Sequence, residues 1–286
     1  MAQAHGGYYV PHGSHWPIVG SVGLFTMMAG FASFLNGGGL FWMMLGLLIL
    51  IIMMFGWFGT VIRESEGGMY NEQVDFSFRW GMGWFIFSEV MFFAAFFGAL
   101  FYARQMAVPW LGGDEAKILT HDLLWPDFRQ VWPTNGPGDV GGEFRAMHAW
   151  GLPAINTVIL LSSGITVTWA HWGLKENKRR QLILGLAATV FLGFLFVFLQ
   201  AEEYIHAYHE LNLTLESGIY GSTFFMLTGF HGFHVTMGAI ILLIVLLRSM
   251  RGHFTPEHHF AFEAAAWYWH FVDVVWLGLF IFVYWL

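Results

Sequence analysis

Seven stretches of this chain are each apolar for about twenty residues, the length a helix needs to cross the hydrocarbon core of a bilayer. No other feature narrows the fold as much. Inside hydrocarbon every backbone N–H and C=O must be paired within the protein, so isolated spans of this kind are helices. The stretches are roughly Trp16–Leu35, Leu40–Ile62, Phe78–Tyr102, Leu152–Leu174, Gln181–Gln200, Ile219–Leu247 and Phe260–Leu286. The predicted fold class is all-α, a polytopic membrane protein with seven transmembrane helices. Charged residues make up only 11% of the chain and hydrophobic ones 57%, where soluble domains carry about 25% charged residues. Little mass is expected outside the bilayer.

The links organise the spans. Asn36-Gly37-Gly38-Gly39 makes a tight hairpin of the first two, so residues 1–66 read as an N-terminal segment plus a two-helix hairpin. Residues 67–286 hold the other five spans, with a long extramembrane loop at about 104–151, rich in Pro, Gly, Trp and Asp. Residues 1–15 contain no Lys or Arg and no apolar core, so the first span is expected to be retained rather than cleaved as a signal peptide. Placing the N-terminus inside puts Arg63, Arg79, Lys175, Lys178, Arg179, Arg180, Arg248 and Arg251 on the inner side, and leaves the short outer links without Lys or Arg. That bias predicts a cytoplasmic N-terminus and an outer C-terminus.

Several function classes drop out. The net charge of −7 and the lack of a basic cluster beyond Lys178-Arg179-Arg180 exclude nucleic acid as a partner. The absence of cysteine excludes disulfides, thiolate-bound iron–sulfur centres, a cysteine-bridged copper pair and covalent c-type haem. No internal repeat of the inverted-transporter kind is visible.

Ionisable groups within spans are costly, and they face protein, lipid headgroups or water. Glu89 sits mid-span in Trp84-Phe85-Ile86-Phe87-Ser88-Glu89-Val90-Met91-Phe92-Phe93. An acid there is expected to be protonated or hydrogen-bonded, as a proton-related carboxyl or as a tie between helices. His231 and His234 share a helix face at i, i+3. They lack a zinc pattern such as HExxH, so interhelical hydrogen bonding is expected and no metal. Glu263, His270 and Asp273 form a polar strip on the last span, expected to face neighbouring helices. Glu202, Glu203, His206 and His209 close the fifth span, where they are expected to be solvated. His5, His12, His15, His258 and His259 fall in polar ends or links and could collect protons. Arg63, Arg79 and Arg248 stand where basic side chains can meet lipid phosphates, with Trp57 and Phe58 within about a turn of Arg63 for acyl contact.

A set of strings carries a resemblance. In order they are Trp16-Pro17, Val61-Ile62-Arg63-Glu64-Ser65, Arg79-Trp80-Gly81-Met82, Ser88-Glu89-Val90-Met91-Phe92-Phe93 and Thr166-Val167-Thr168-Trp169-Ala170-His171. Gly218-Ile219-Tyr220-Gly221-Ser222-Thr223-Phe224-Phe225, Thr228-Gly229-Phe230-His231-Gly232-Phe233-His234, His258-His259-Phe260 and Glu263-Ala264-Ala265-Ala266-Trp267-Tyr268-Trp269-His270-Phe271-Val272-Asp273 follow. Together, over nearly the whole chain, they resemble subunit III of haem–copper cytochrome c oxidases.

The resemblance implies seven helices arranged as two plus five around a lipid-holding cleft. It implies no cofactor in this chain apart from bound phospholipids, with haem a and copper centres in partner subunits. The implied partners are the catalytic subunit I, subunit II and small subunits, and the assembly could extend to a respiratory supercomplex. The implied role is non-catalytic, in packing, lipid retention and support of proton uptake. By match of position, Glu89 is the intramembrane carboxyl, while Arg63, Glu64, Arg79 and Arg248 lie near lipid headgroups. The sequence departs from the family at Gly67-Gly68-Met69-Tyr70-Asn71-Glu72-Gln73, where the family often has Gly-x-His-Thr, and at Phe58-Gly59, where Trp-Arg is common. The long outer loop points to a bacterial aa3-type enzyme of the plasma membrane. The rival readings are subunit III of a quinol oxidase, an autonomous proton-coupled transporter using Glu89, His231, His234, His270 and Asp273, and a structural membrane protein with no oxidase partner.

Overall fold

The computed structural model describes residues 13–114 and 118–286. His5, His12 and Lys117 lie outside the described residues. All regular structure among the described residues is helical, and seven helices are long and apolar enough to cross a membrane. The chain divides into two compact units, Met1–Trp80 and Gly81–Leu286.

In the first unit, α1 (Trp16–Leu35) and α2 (Phe41–Glu66) pack as an antiparallel hairpin. Pro17 sits in the first turn of α1, where its missing N–H costs no hydrogen bond. Gly30 and Gly46 make the close approach possible. A Cβ on Gly30 would run into the backbone of Trp42 and Met43, and one on Gly46 into the backbone of Met27. At the other end of the hairpin Trp16 Nε1 donates to Thr60 Oγ1 at 3.2 Å. The first turns of α3 (Glu72–Tyr102) complete this unit. Asn71 caps them by accepting the N–H of Val74 at 3.0 Å, and Glu72 and Asp75 place negative charge at the positive end of the helix.

In the second unit, α6 (Leu152–Lys175), α7 (Arg179–Glu210), α8 (Gly218–Arg251) and α9 (Phe260–Leu279) form a closed ring, each packed on two of the others. Trp269 of α9 fills the centre. It is fully buried, and its Nε1 donates to Ser163 Oγ on α6 at 2.8 Å. Gly193 on α7 and Gly238 on α8 provide the space, since a Cβ on either would lie 2.7 or 2.8 Å from the indole. The rest of α3 joins this ring through side chains, with Phe92 edge-on to Phe230 of α8 and Phe93 beside Phe271 of α9.

The helices run longer than the apolar stretches. The third was expected to end at Tyr102. Instead it continues through a π-helical turn (Ala103–Ala107) and α4 (Val108–Leu111), and stops at Gly112-Gly113. Arg104, Gln105 and Met106 are good helix formers, so polarity alone does not end a helix. A short α5 (Ile118–Leu124) follows, and the chain is then irregular as far as Gly151. This connecting segment is fastened to the α7–α8 link. Arg145 N–H donates to Leu211 O at 2.9 Å, Asn212 Nδ2 to Glu143 O at 2.8 Å, and Tyr220 N–H to Thr134 O at 3.2 Å. The final turn after α9 is π-helical, Phe280–Trp285.

Candidate functional site

Polar groups inside the second unit gather at four stations, each bridging helices. The first joins α3 to α8. Glu89 Oε2 lies 2.9 Å from His234 Nε2, while His234 Nδ1 faces the carbonyl of Phe230 at 2.6 Å. That carbonyl can only accept, so Nδ1 carries a hydrogen. Nε2 is thus left to face the Glu89 carboxyl at hydrogen-bond distance. Phe92, Phe93 and Tyr268 surround the imidazole. Glu89 is not wholly enclosed by this chain, for its side chain keeps 21% of its exposure.

His231, one turn earlier on α8, is fully buried and points elsewhere. Its Nε2 is 3.1 Å from the carbonyl of Val272 on α9, and its ring packs on Phe196 and Trp276. The two histidines share a helix but serve different neighbours. No common metal geometry brings them together.

The predicted strip of Glu263, His270 and Asp273 separates into two stations. Glu263 Oε1 lies 3.2 Å from His259 Nε2 and 3.6 Å from His171 Nε2, and the two histidine nitrogens are 3.4 Å apart. His259 Nδ1 donates to Thr255 O at 3.0 Å, which leaves its Nε2 for the cluster. The three donor atoms are close enough together to hold a metal ion. His259 was expected in a polar link; it is instead buried at the start of α9. Sequence reading missed this cluster because His171 stands 88 positions away from His259. The i, i+4 spacing of His259 and Glu263 was the available signal.

Further along α9, His270 bridges Thr168 of α6 and its own helix. Its Nε2 is 3.2 Å from Thr168 Oγ1 and its Nδ1 3.2 Å from Asp273 Oδ2. His270 thus reaches α6 through Thr168, a partner not foreseen from sequence, and Asp273 bonds within its own helix.

The fourth station corrects the expectation of a solvated cluster at the end of the fifth span. Glu202 and His209 are exposed, and His206 pairs with Glu210 at 3.2 Å. Glu203 points inward, is fully buried, and accepts the hydroxyl of Tyr284 at 2.6 Å. Its place on the inner face of α7 follows from the ring packing, which the sequence of α7 alone does not show.

The residues matched to lipid headgroups differ in setting. Arg63 is exposed in the last turn of α2 and donates to Gly59 O at 3.1 Å; Trp57 and Phe58 are exposed on the same helix. Glu64 accepts the hydroxyl of Tyr70 at 2.7 Å, and Arg79 is ion-paired with Asp75 at 2.7 Å. Arg248, near the end of α8, stacks over Phe254 with 4.6 Å from its guanidinium carbon to the ring centroid.

These features define a class: a multi-pass helical membrane protein whose helices are bridged at several points by carboxyl and imidazole groups. Comparison with known proteins gives the family. The family model for cytochrome c oxidase subunit III matches residues 6–123 and 124–286. A cytochrome c oxidase subunit 3 from Tetraodon nigroviridis is 43% identical over 284 residues, covering 99% of this chain and 98% of the relative. Those from Carassius auratus and Gadus morhua are 42% identical with the same coverage. The chain belongs to the cytochrome c oxidase subunit III family, and so to the subunits of a haem–copper oxidoreductase complex.

Proposed function

We infer that this chain is a non-catalytic subunit of an aa3-type cytochrome c oxidase, which stabilises the catalytic subunit I beside subunit II, retains phospholipids and supports proton uptake. The single observation that carries the proton reading is the Glu89–His234 pair, a proton-bearing bond placed mid-span between two helices. Such a group is expensive inside a membrane and is usually kept for function. The redox chemistry belongs to partner subunits, whose haem a and copper centres pass electrons from cytochrome c to oxygen. Arg63, Arg79 and Arg248 are suited to phosphate headgroups, Glu64 orders the same stretch through Tyr70, and the exposed Trp57 and Phe58 are suited to acyl chains. The distribution of Lys and Arg supports an inward N-terminus. The length of the connecting segment supports the bacterial plasma membrane as location.

The test is removal of the chain from purified oxidase. Oxygen reduction should start at its normal rate, with slowed proton uptake or a shortened working life. Unchanged proton kinetics together with an unchanged lifetime would overturn the role. The transporter rival predicts proton-coupled flux through the purified chain in vesicles, which this reading does not.

A further inference from the structure

Several buried side chains of the second unit carry polar atoms without a hydrogen bond of normal geometry, and three of them stand on α6 and α7. Asn156 on α6 and Glu203 on α7 are fully buried, and Gln200 on α7 is 5% exposed. Both amide atoms of Asn156, both of Gln200 and Glu203 Oε2 lack a hydrogen bond of normal geometry within the chain, although Gln200 approaches both Glu203 and Tyr284. An orphaned buried group costs about 1–3 kcal/mol. Several in one place persist only if something polar reaches them.

Two of them are neighbours on one helix, and the helix register aligns the third with them. Gln200 and Glu203 are i, i+3 on α7 and share its inner face. Asn156 is placed by the register of the α6–α7 hairpin. Gly173 abuts Gln181, Gly185 abuts Ala170, and Thr166 bonds Thr189. Continued along the antiparallel pair, that register brings Asn156 level with Leu199 and Gln200. The terminal π turn also packs on α6, and its Tyr284 donates to Glu203 Oε1. Tyr284 also lines a pocket of about 310 Å³ with Tyr220, Trp132 and His148, beneath the connecting segment.

The donor set identifies the ligand. Two carboxamides supply N–H groups that need an acceptor, while their oxygens and Glu203 Oε2 need a donor. A metal ion would satisfy the oxygens and leave the N–H groups bare. Water does both, and a buried water typically makes about three such bonds. We propose that ordered water molecules bind between Asn156, Gln200 and Glu203, forming a hydrated polar site that Tyr284 separates from the pocket under the connecting segment. The site lets α6 and α7 bury three polar side chains at one level. It does not depend on the oxidase assignment.

Two experiments on the intact complex test it. A high-resolution electron cryo-microscopy map should show density peaks at about 2.6–3.2 Å from Glu203 Oε2 and from an amide of Gln200 or Asn156. Side chains bonded directly to one another with no intervening peak would overturn the proposal. So would a single peak contacted by oxygen atoms alone, since that is a cation. The second experiment uses Gln200→Met, which keeps the length and removes both polar atoms. If water is bound there, the variant strips it of partners and the thermal midpoint of the complex falls. If the amide is truly bare, an apolar replacement is neutral or stabilising, and a midpoint that holds or rises overturns the proposal.

Discussion

Glu89 Oε2 and His234 Nε2 meet at 2.9 Å across the α3–α8 contact, while the other imidazole nitrogen faces the carbonyl of Phe230 at 2.6 Å. The bond can thus be kept by a neutral donor but not by an apolar side chain.

Glu89→Gln should keep the contact, since the amide can donate to His234 Nε2. Glu89→Leu should cost about 1–3 kcal/mol by orphaning the imidazole. Thermal unfolding of the purified complex reads the difference, and equal midpoints for the two variants would show that the bond does not matter to stability. Glu89 should also react selectively with a hydrophobic carbodiimide, and Glu89→Gln should abolish the label. A label that survives the substitution marks a different carboxyl.

Trp269 is seated against two glycines, so the ring of α6–α9 has no slack there. Gly193→Ala or Gly238→Ala should each destabilise by about 1–3 kcal/mol through overpacking. A midpoint shift of similar size is expected from Gly46→Ala in the hairpin, where the obstacle is the backbone of Met27. Neutral behaviour at all three positions would mean the helices sit further apart than described.

Phospholipid retention should depend on the exposed and stacked arginines. The double substitution Arg63→Gln with Arg248→Gln should lower the number of phospholipids that stay with the complex, counted by native mass spectrometry. An unchanged number would remove these residues from lipid binding.

Orientation can be read cleanly because the chain has no cysteine. A single Gly39→Cys should be modified by a membrane-impermeant thiol reagent from the outer side. A single Glu176→Cys should be modified only from the inner side. The reverse pattern would invert the topology.

The number and order of the spans were legible because the bilayer imposes a length and a composition on each. Helix ends were not, since Glu72 at the start of α3 and Arg104 near its end are as compatible with a helix as with a loop. Glu89, His231, His234, Glu263, His270 and Asp273 stood out as polar interruptions of apolar runs. The partners on α6 did not, because Thr168 and His171 lie in another helix and only the ring packing brings them to α9. Glu203 was misread for the same reason. Next to Glu202 it has the look of a solvated helix end, yet it is buried and bonded to Tyr284 of the terminal turn.

The central claim is membership of an oxidase, and isolating this chain from its native membrane in mild detergent tests it most directly. A reduced-minus-oxidised spectrum of the eluate should show a-type haem, and the eluate should oxidise cytochrome c. A haem-free, inactive eluate, under conditions in which known oxidase subunits stay together, would contradict the account.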